Sequence, residues 1–304
     1  MAQRIVLAGG SGFLGAALAR RFRERGHEVV VLTRSTPRRR GDGVREAQWD
    51  GRGVGEWTRE IDGAHAVINL AGSTINCVHT PENRARILGS RLDSVRALGA
   101  AIRAVGRPPV VWIQTSAVGI YGHTEKRCDE NAPAGTGFLA DVGVQWEAAF
   151  AAECPAAVRG VVLRVGVVLG RKGGAFPPLY DLASWYLGGR AGDGRQGLSW
   201  ILQDDVEEIC LRAAMDEAMR GTYNTCAPEP ASNEDFMRLL REVLDRPWAP
   251  PAPAWAVRFT AKWLMKTDPA LVLEGQFAVP ARLLAEGYRF KAPRLVTALT
   301  ALAR

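Results

Sequence analysis

Three glycines near the start of the chain, Gly9, Gly12 and Gly15, are spaced three residues apart and could hold a pyrophosphate. The first permits a tight bend, the second lets the backbone approach the phosphates, and the third lets a following helix pack closely on a sheet. The free N–H groups at the start of that helix would face the negative charge. This chemistry is dinucleotide binding, and the alternative is an ordinary glycine turn of an α/β protein. The predicted contacts in this turn are Gly9, Ser11, Gly12, Phe13, Leu14 and Gly15.

Arg34 stands where a second strand is predicted to end, and this position selects between the two nicotinamide cofactors. NAD sites usually carry an acidic residue here, which binds the ribose 2′-hydroxyl. The chain instead has an arginine flanked by two hydroxyl side chains, Thr33 and Ser35. A charge-assisted hydrogen bond to a 2′-phosphate contributes roughly 1.5–3 kcal/mol, which favours NADP over NAD by about tenfold to a hundredfold after allowance for solvent. Arg39 and Arg40 are interpreted as part of a solvated loop.

Short apolar runs alternate with amphipathic stretches along the first half of the chain. The runs have the length of strands and the stretches have helical spacing, which is typical of βαβ units. This repetition predicts an α/β protein with a Rossmann-type doubly wound parallel sheet and with ligands at the carboxyl ends of its strands. The predicted strands are Ile5–Leu7, Glu28–Leu32, Ala66–Leu70, Val110–Gln114 and Gly160–Val165. The predicted helices are Phe13–Gly26, Pro81–Val105 and Phe138–Ala152.

Further candidate contacts follow the ends of these strands and should cluster at one edge of the sheet. Asp50 is assigned to the adenosine half of the cofactor. Arg91 and Arg164 are also assigned to the cofactor, although either could pair with a carboxylate of the substrate or with a surface acid instead. The residues assigned to the cofactor after the third strand are Leu70, Ala71 and Gly72.

The pattern changes from about residue 173, and a glycine-rich loop, Gly188–Gly197, then leads into a candidate substrate pocket. Gln196, Ser199 and Trp200 are expected to line that pocket, and a plain core position is the alternative for Trp200. The acidic pair Asp204–Asp205 is expected to N-cap a helix that ends at Met215.

These features predict two domains. The first is a dinucleotide-binding domain over residues 1–245, with substrate-side segments at about 173–203 and 222–245. The second is a small helical C-terminal domain over residues 246–304, which follows a proline-rich link, Pro247–Pro253.

Composition narrows the class of protein. The 304 residues are 47% hydrophobic and 23% charged, which is ordinary for a globular protein. No apolar run reaches the ~20 residues of a membrane span and no signal peptide fits before the first strand, so we expect a cytoplasmic protein with no membrane partner. Five cysteines without a C-x-x-C pair and four scattered histidines argue against disulfides and a metal site. The net charge of +7 is spread along the chain, so we expect no nucleic-acid partner; the oligomeric state stays open.

Taken in order, the motifs resemble the short-chain dehydrogenase/reductase superfamily in its extended, sugar-nucleotide-epimerase-like branch. The motifs that carry the resemblance are Gly9-x-x-Gly12-x-x-Gly15, Asn69-Leu70-Ala71-Gly72, Thr115-Ser116-Ala117, Tyr121-Gly122 and Leu163-Arg164-x-Gly166. A narrower resemblance is to the atypical group called epimerase family proteins, which carry a small C-terminal domain of unknown function. Its motifs include Leu32-Thr33-Arg34, Trp49-Asp50, Ser199-Trp200-Ile201 and Leu273-Glu274-Gly275-Gln276. The resemblance spans essentially the whole chain; it implies the fold and the cofactor and leaves the reaction open.

The catalytic pattern of that superfamily is incomplete in this chain. Its enzymes use a tyrosine activated by a lysine four residues later, and a serine that holds the substrate oxygen. No Y-x-x-x-K occurs here, and by the resemblance Phe138 and Val142 stand in the two places. Ser116 keeps the serine position, where it could contact the substrate or the nicotinamide, or cap a loop. Tyr121 matches a structural tyrosine of the superfamily, but it is the best remaining candidate for a catalytic phenol.

We therefore predict an NADP-binding oxidoreductase or epimerase-like enzyme that transfers a hydride to or from a small polar substrate. Ser116, Tyr121 or water would handle the proton, while Trp146 and Glu147 are interpreted as structural. The alternative is a non-catalytic, NADP-dependent sensor or partner-binding protein. The missing tyrosine–lysine pair favours the alternative, and the glycine-rich loop before Trp200 favours the enzyme.

Overall fold

The computed structural model describes residues 2–38, 41–246 and 248–304. Arg39 and Arg40 of the expected solvated loop, and Pro247 of the expected link, lie outside the described residues. The strands are β1 (Arg4–Ala8), β2 (Glu28–Thr33), β3 (Arg45–Gln48), β4 (Ala66–Asn69), β5 (Val111–Ala117), β6 (Arg127–Cys128), β7 (Arg159–Val165), β8 (Val167–Gly170), β9 (Gly173–Gly174), β10 (Gly197–Leu198), β11 (Trp200–Leu202), β12 (Gly221–Thr225), β13 (Ala231–Ser232) and β14 (Phe277–Ala278). The α-helices are α1 (Phe13–Glu24), α2 (Pro81–Ala104), α3 (Phe138–Glu153), α4 (Phe176–Ser184), α5 (Gln203–Met215), α6 (Asn233–Val243), α7 (Ala254–Phe259), α8 (Ala270–Leu273), α9 (Ala281–Ala285) and α10 (Leu295–Ala303).

Seven parallel strands form the main sheet, in the order β12-β7-β5-β4-β1-β2-β3. The chain moves outward from β1 in one direction through β2 and β3, and then returns to add β4 on the other side of β1. The crevice at the carboxyl ends of the strands beside β1 is where doubly wound sheets bind ligands. The predicted Rossmann-type α/β fold is therefore confirmed.

Alternate residues of the central strands enter two different cores. In β1, Ile5 and Leu7 face the layer that contains α1 and α5, whereas Val6 and Ala8 face the layer that contains α2 and α3. A strand covered on both faces has no polar side, which explains why these strands are continuous apolar runs in the sequence. Strand β3 was not predicted, because its sequence, Arg-Glu-Ala-Gln, is polar, as suits the edge strand that it forms.

The C-terminal part of the chain is joined to the body by both backbone and side-chain contacts. Strand β14 pairs with β6, and α10 packs against α6. Asp205 was expected to N-cap α5, but the N-cap is Leu202. The buried Asp205 carboxylate instead accepts the backbone N–H groups of Lys291 and Ala292, at 2.9 and 3.5 Å, so its role is to hold the C-terminal tail. Across the part of the chain that the structure describes, no helix has the length and apolar character of a membrane span.

Candidate functional site

The turn between β1 and α1 has the geometry of a phosphate-binding loop. Gly9 has a φ of +81°, and a Cβ atom there would lie 2.9 Å from the carbonyl carbon of Leu70. A Cβ at Gly15 would lie 2.4 Å from the Cα of Gly10, so only glycine lets α1 approach the turn this closely. At Gly12, by contrast, the nearest atom would be the Gly9 carbonyl oxygen at 3.6 Å. The space beside Gly12 is therefore not filled by side chains of the described residues, and their packing does not require a glycine there.

The N-terminus of α1 carries the electrostatic features that an anion needs. Its N-cap is Gly12, no side chain caps it, and its first turn contains no acidic residue. The first N–H groups of a helix have no partner within the helix, and together they present a partial positive charge. The ring of Phe13 lies against the β8–β9 hairpin, where a Cβ at Gly173 would be 2.4 Å from it. The start of α1 is thus packed against the β8–β9 hairpin. This contact was not predicted from the sequence.

Arg34 is the first residue after β2 and it is exposed. No carboxylate in the described ranges pairs with it, so its guanidinium is available to an anion at this edge. Thr33 and Ser35 turn toward each other, since the Thr33 hydroxyl accepts the Ser35 N–H at 3.2 Å.

Asp50 follows β3, and one of its carboxylate oxygens accepts the N–H groups of Arg52 and Gly53 at 2.8 and 3.0 Å. These bonds lower the pKa of the Asp50 carboxyl, and they give it a role in closing its own loop.

The loop after β4 lies directly against the glycine turn. The Leu70 N–H donates to the Ala8 carbonyl at 2.8 Å, and the Asn69 side chain accepts the Ala71 N–H at 3.0 Å. A Cβ at Gly72 would lie 3.2 Å from the guanidinium carbon of Arg91. The predicted residues after β1 and β4 are therefore brought together at one edge.

Arg91 is a largely buried guanidinium without a carboxylate partner in the described part of the chain. It stacks over the Trp146 ring, at 4.9 Å from the ring centroid, and its Nη1 donates to the carbonyls of Ser73 and Ile87. Burial lowers the pKa of Arg91 to about 10, which leaves it charged at neutral pH. A buried positive charge beside Gly72, satisfied only by neutral acceptors, is suited to an anionic ligand.

Ser116, Glu147 and Arg164 form a connected polar network at the end of β5. The Ser116 hydroxyl donates to Glu147 Oε1 at 2.7 Å. The same carboxylate receives two bonds from Arg164, from Nε at 2.8 Å and from Nη2 at 2.8 Å. Both partners of this bidentate pair are largely buried, which makes the pair stronger than an exposed one. Glu147 on α3 therefore lies at the centre of this network and joins Ser116 to Arg164.

Arg164 is not available to a cofactor phosphate, which corrects its assignment. Two of its nitrogens bind Glu147, and Nη1 donates to the Tyr121 hydroxyl at 2.8 Å and to the Glu130 carbonyl at 3.3 Å. All three side-chain nitrogens are thus occupied by groups of the protein. The position of Arg164 at the carboxyl edge of the sheet could be predicted from the sequence. Its pairing with Glu147, seventeen residues earlier, could not.

Tyr121 is a structural residue, and its assignment as a catalytic phenol is wrong. It is 2% exposed, and its hydroxyl lies 2.8 Å from Asn224 Oδ1 and 2.9 Å from the Asp129 carbonyl, besides its contact with Arg164. Burial raises the pKa of Tyr121 to about 12, so the phenol neither ionises near neutral pH nor reaches a ligand.

The two positions of the missing tyrosine–lysine pair differ in their surroundings. Val142 is 5% exposed. The Phe138 ring lies 5.1 Å from the His79 ring and under the guanidinium of Arg84 at 4.9 Å. His79 in turn lies 3.5 Å from the Asp268 carboxylate, a contact that joins the loop before α2 to the C-terminal part of the chain.

Gln196 and Ser199 are buried and do not line a pocket, which corrects the expectation for them, whereas Trp200 takes the core position that was its alternative. Trp200 is fully buried, and its indole N–H donates to the Glu229 carbonyl at 2.9 Å. The Ser199 hydroxyl donates to the Gln276 carbonyl at 2.7 Å, and Gln196 Nε2 donates to two backbone carbonyls. The bonds of Ser199 to Gln276 and of Gln196 to Val272 hold the C-terminal segment against the body.

The residue of this network that was not predicted from the sequence is Glu147. It shares one face of α3 with the buried residues Gly143 and Phe150, four residues before it and three after it. A carboxylate on an otherwise buried helical face was the available signal, because a buried charge requires a partner.

Comparisons with known proteins agree with this architecture. Residues 5–176 match the family described as NAD dependent epimerase/dehydratase, and residues 252–302 match a domain of unknown function, DUF1731. The chain is 34% identical to an Arabidopsis thaliana protein called epimerase family protein SDR39U1 homolog, chloroplastic, over 98% of this chain and 86% of that protein. It is 31% identical to the Bacillus subtilis epimerase family protein YfhF, over 98% and 97% of the two chains.

A solved structure resembles the chain over its whole length. The crystal structure of human epimerase family protein SDR39U1 (isoform 2) with NADPH matches it with a TM-score of 0.87 and 32% identity, covering 99% of both chains. The similarity includes the C-terminal part as well as the main sheet.

Proposed function

This chain belongs to the NAD dependent epimerase/dehydratase family, and from that premise we propose that it binds NADP and acts as an oxidoreductase or epimerase-like enzyme on a small polar substrate. The observation that carries the proposal is the unused space beside Gly12 at an uncapped helix N-terminus. The human relative with 32% identity, which was crystallised with NADPH, supports the choice of cofactor.

The residues present fit the cofactor. The N-terminus of α1 and the Gly12 backbone would hold the pyrophosphate, and the exposed guanidinium of Arg34 would bind a 2′-phosphate. Arg91 would supply a second positive charge beside Gly72. NADP, when bound, supplies or accepts a hydride at its nicotinamide ring.

We assign proton handling to Ser116 and Glu147. In the oxidative direction the substrate hydroxyl would give its proton to Ser116 Oγ, while the proton of Ser116 passes to Glu147 Oε1, 2.7 Å away. In the reductive direction both protons move back. The two bonds from Arg164 fix the carboxylate so that Oε1 faces the serine, which replaces the function of the absent tyrosine–lysine pair.

Turnover of NADPH with a panel of small ketones, aldehydes and nucleotide sugars tests this assignment. For any carbonyl compound that the parent reduces, Ser116→Ala and Glu147→Gln should lower kcat by about a hundredfold or more, while calorimetry shows an unchanged Kd for NADPH. Glu153→Gln is the matched control, because Glu153 lies on the same helix and also pairs with an arginine, Arg103, at 2.6 Å. Equal activity in all four proteins would refute the relay.

A second candidate function is a non-catalytic NADP-dependent sensor. It is favoured by one observation, namely that the Ser116 proton and the Tyr121 hydroxyl both already have partners within the protein. Tight NADPH binding that raises the melting temperature, without turnover of any compound in the panel, would support the sensor and overturn the enzyme.

A further inference from the structure

Six large apolar side chains, five of them aromatic, are exposed after α4 and in the C-terminal part of the chain. We call the set the aromatic face, and its residues are between 64% and 79% exposed. Its members are Trp185, Trp248, Trp255, Phe259, Trp263 and Leu264. The four tryptophans alone expose on the order of 600 Å² of ring surface. A contiguous apolar patch of that size would match the largest patch of a typical monomer, and such patches mark interaction sites.

The segments that carry the aromatic face adjoin each other. The backbones of Arg190 and Ala252 are hydrogen-bonded at 2.9 Å, and the guanidinium of Arg246 lies over the Tyr186 ring at 5.1 Å. From Ala254 the chain continues as α7 and then, without a break, as a π-helical turn over Thr260–Leu264. Trp185 and Trp248 therefore lie on two adjoining segments, and the second of these leads into the helical stretch that carries the other members.

The helical stretch presents its aromatic residues away from the protein. Val257 and Ala261, four residues apart, are 7% and 1% exposed and form the packed side. Trp255, Phe259 and Trp263 are each displaced by two positions from that series, which on a helix is about the opposite side. Because its aromatic side chains face away from the protein, we do not interpret this helical stretch as a lid that closes over a cleft of the same chain.

Positive charge accompanies the aromatic face. Arg258, Lys262 and Lys266 are exposed and recur every four residues beside the aromatic series. The sequence from residue 246 to residue 267 contains no aspartate or glutamate. In a symmetric dimer through this face, the two sets of cations would meet without an intervening acid, which argues against a second copy as the occupant.

We propose that the aromatic face docks on an anionic lipid bilayer surface. Exposed tryptophan and phenylalanine side chains flanked by lysine and arginine are the features of a helix that lies in the membrane interface. The aromatic rings enter the headgroup region, and the cations pair with anionic headgroups. No membrane partner was expected from the sequence, because no apolar run reaches the ~20 residues of a membrane span. The exposure of these side chains depends on the tertiary structure.

Vesicle co-sedimentation of the full chain tests the proposal. We expect the protein to bind vesicles of phosphatidylserine and phosphatidylcholine in equal parts at least about tenfold more tightly than vesicles of phosphatidylcholine alone. Arg258→Glu with Lys262→Glu should weaken that binding by about thirtyfold or more, and Trp255→Ser with Trp263→Ser should also release the protein. All four residues are exposed, so the variants should keep the parent's melting temperature.

The matched control is Arg52→Glu with Arg59→Glu, the same change of charge at exposed arginines outside the aromatic face. Loss of binding in this control equal to that at Arg258 and Lys262 would overturn the proposal, because net charge alone would then explain it. Three further results would also overturn it. These are no binding to the mixed vesicles, a dimer in sedimentation equilibrium that Trp263→Ser abolishes, and equally tight binding of heparin that the double tryptophan variant leaves unchanged.

Discussion

The substitution Gly12→Val separates cofactor binding from folding. The backbone at Gly12 is extended, with φ −77° and ψ 177°, which a β-branched residue adopts readily. The nearest atom to an added Cβ would be 3.6 Å away, an ordinary van der Waals contact. The free energy of unfolding should therefore change by no more than about 0.5 kcal/mol.

The same side chain would fill the space that the pyrophosphate needs. If the valine methyl groups prevent two charged hydrogen bonds between backbone N–H groups and phosphate, the loss is about 3–6 kcal/mol. This corresponds to a Kd for NADPH that is higher by roughly two to four orders of magnitude. Gly15→Ala should behave in the opposite way, because its Cβ would lie 2.4 Å from Gly10 Cα and overpacking costs about 1–3 kcal/mol of stability.

Calorimetric titration with NADPH and urea unfolding, applied to the same preparations, measure the two effects. Gly41→Val is the matched control, since Gly41 is exposed and a Cβ there has no atom within 4 Å. If Gly12→Val binds NADPH to within a few fold of the parent while remaining folded, the glycine turn is not the pyrophosphate site. If instead Gly12→Val unfolds, the space beside Gly12 has a structural use and the reasoning from its geometry fails.

Three other substitutions test the roles of Arg34, Tyr121 and Asp205. Arg34→Asp should reduce the preference for NADPH over NADH by about tenfold to a hundredfold, as measured by calorimetry with both cofactors, whereas Arg59→Asp should leave it unchanged. Tyr121→Phe should lower the free energy of unfolding by about 1–3 kcal/mol because a buried hydroxyl network loses its centre. Since the pKa of Tyr121 is raised to about 12, the neutral part of any pH–rate profile should not move, and a shift there would restore its catalytic role. Asp205→Ala should destabilise the protein by about 2–4 kcal/mol and speed hydrogen exchange at the Lys291 amide, and an unchanged exchange rate would show that the tail is held elsewhere.

Much of the main sheet could be predicted from the sequence because its signals are local. The residues from Ile5 to Leu32 contain a strand, a glycine turn, a helix and a second strand, and each is recognisable within a window of a few residues. The structure differs from those predictions mainly by one or two residues at the ends of elements, as at β1 and α1. The polar edge strand β3 was missed because an edge strand lacks the apolar pattern that identifies a strand. The domain boundary between residues 245 and 246 stays a prediction.

The catalytic half of the site could be predicted less well. Ser116 was identified from its place at the end of a strand, but its partner Glu147 was assigned to structure. Tyr121 was chosen because it is close to Ser116 in the sequence, yet its hydroxyl points into a buried network with Asn224, more than a hundred residues later. Proximity in the sequence did not indicate which atoms share a cleft.

The fold class, the glycine turn and the basic residue after the second strand could be predicted from local sequence, since they depend on backbone preferences and short-range periodicity. The tertiary structure determines which charges are paired. It joined Arg164 to Glu147, left Arg34 and Arg91 without acidic partners in the described ranges, and directed the aromatic side chain of Trp263 to solvent. The physical reason is that charge pairing and side-chain exposure depend on which distant elements pack together. A buried charge requires a partner, but the local sequence does not indicate where in the chain that partner lies.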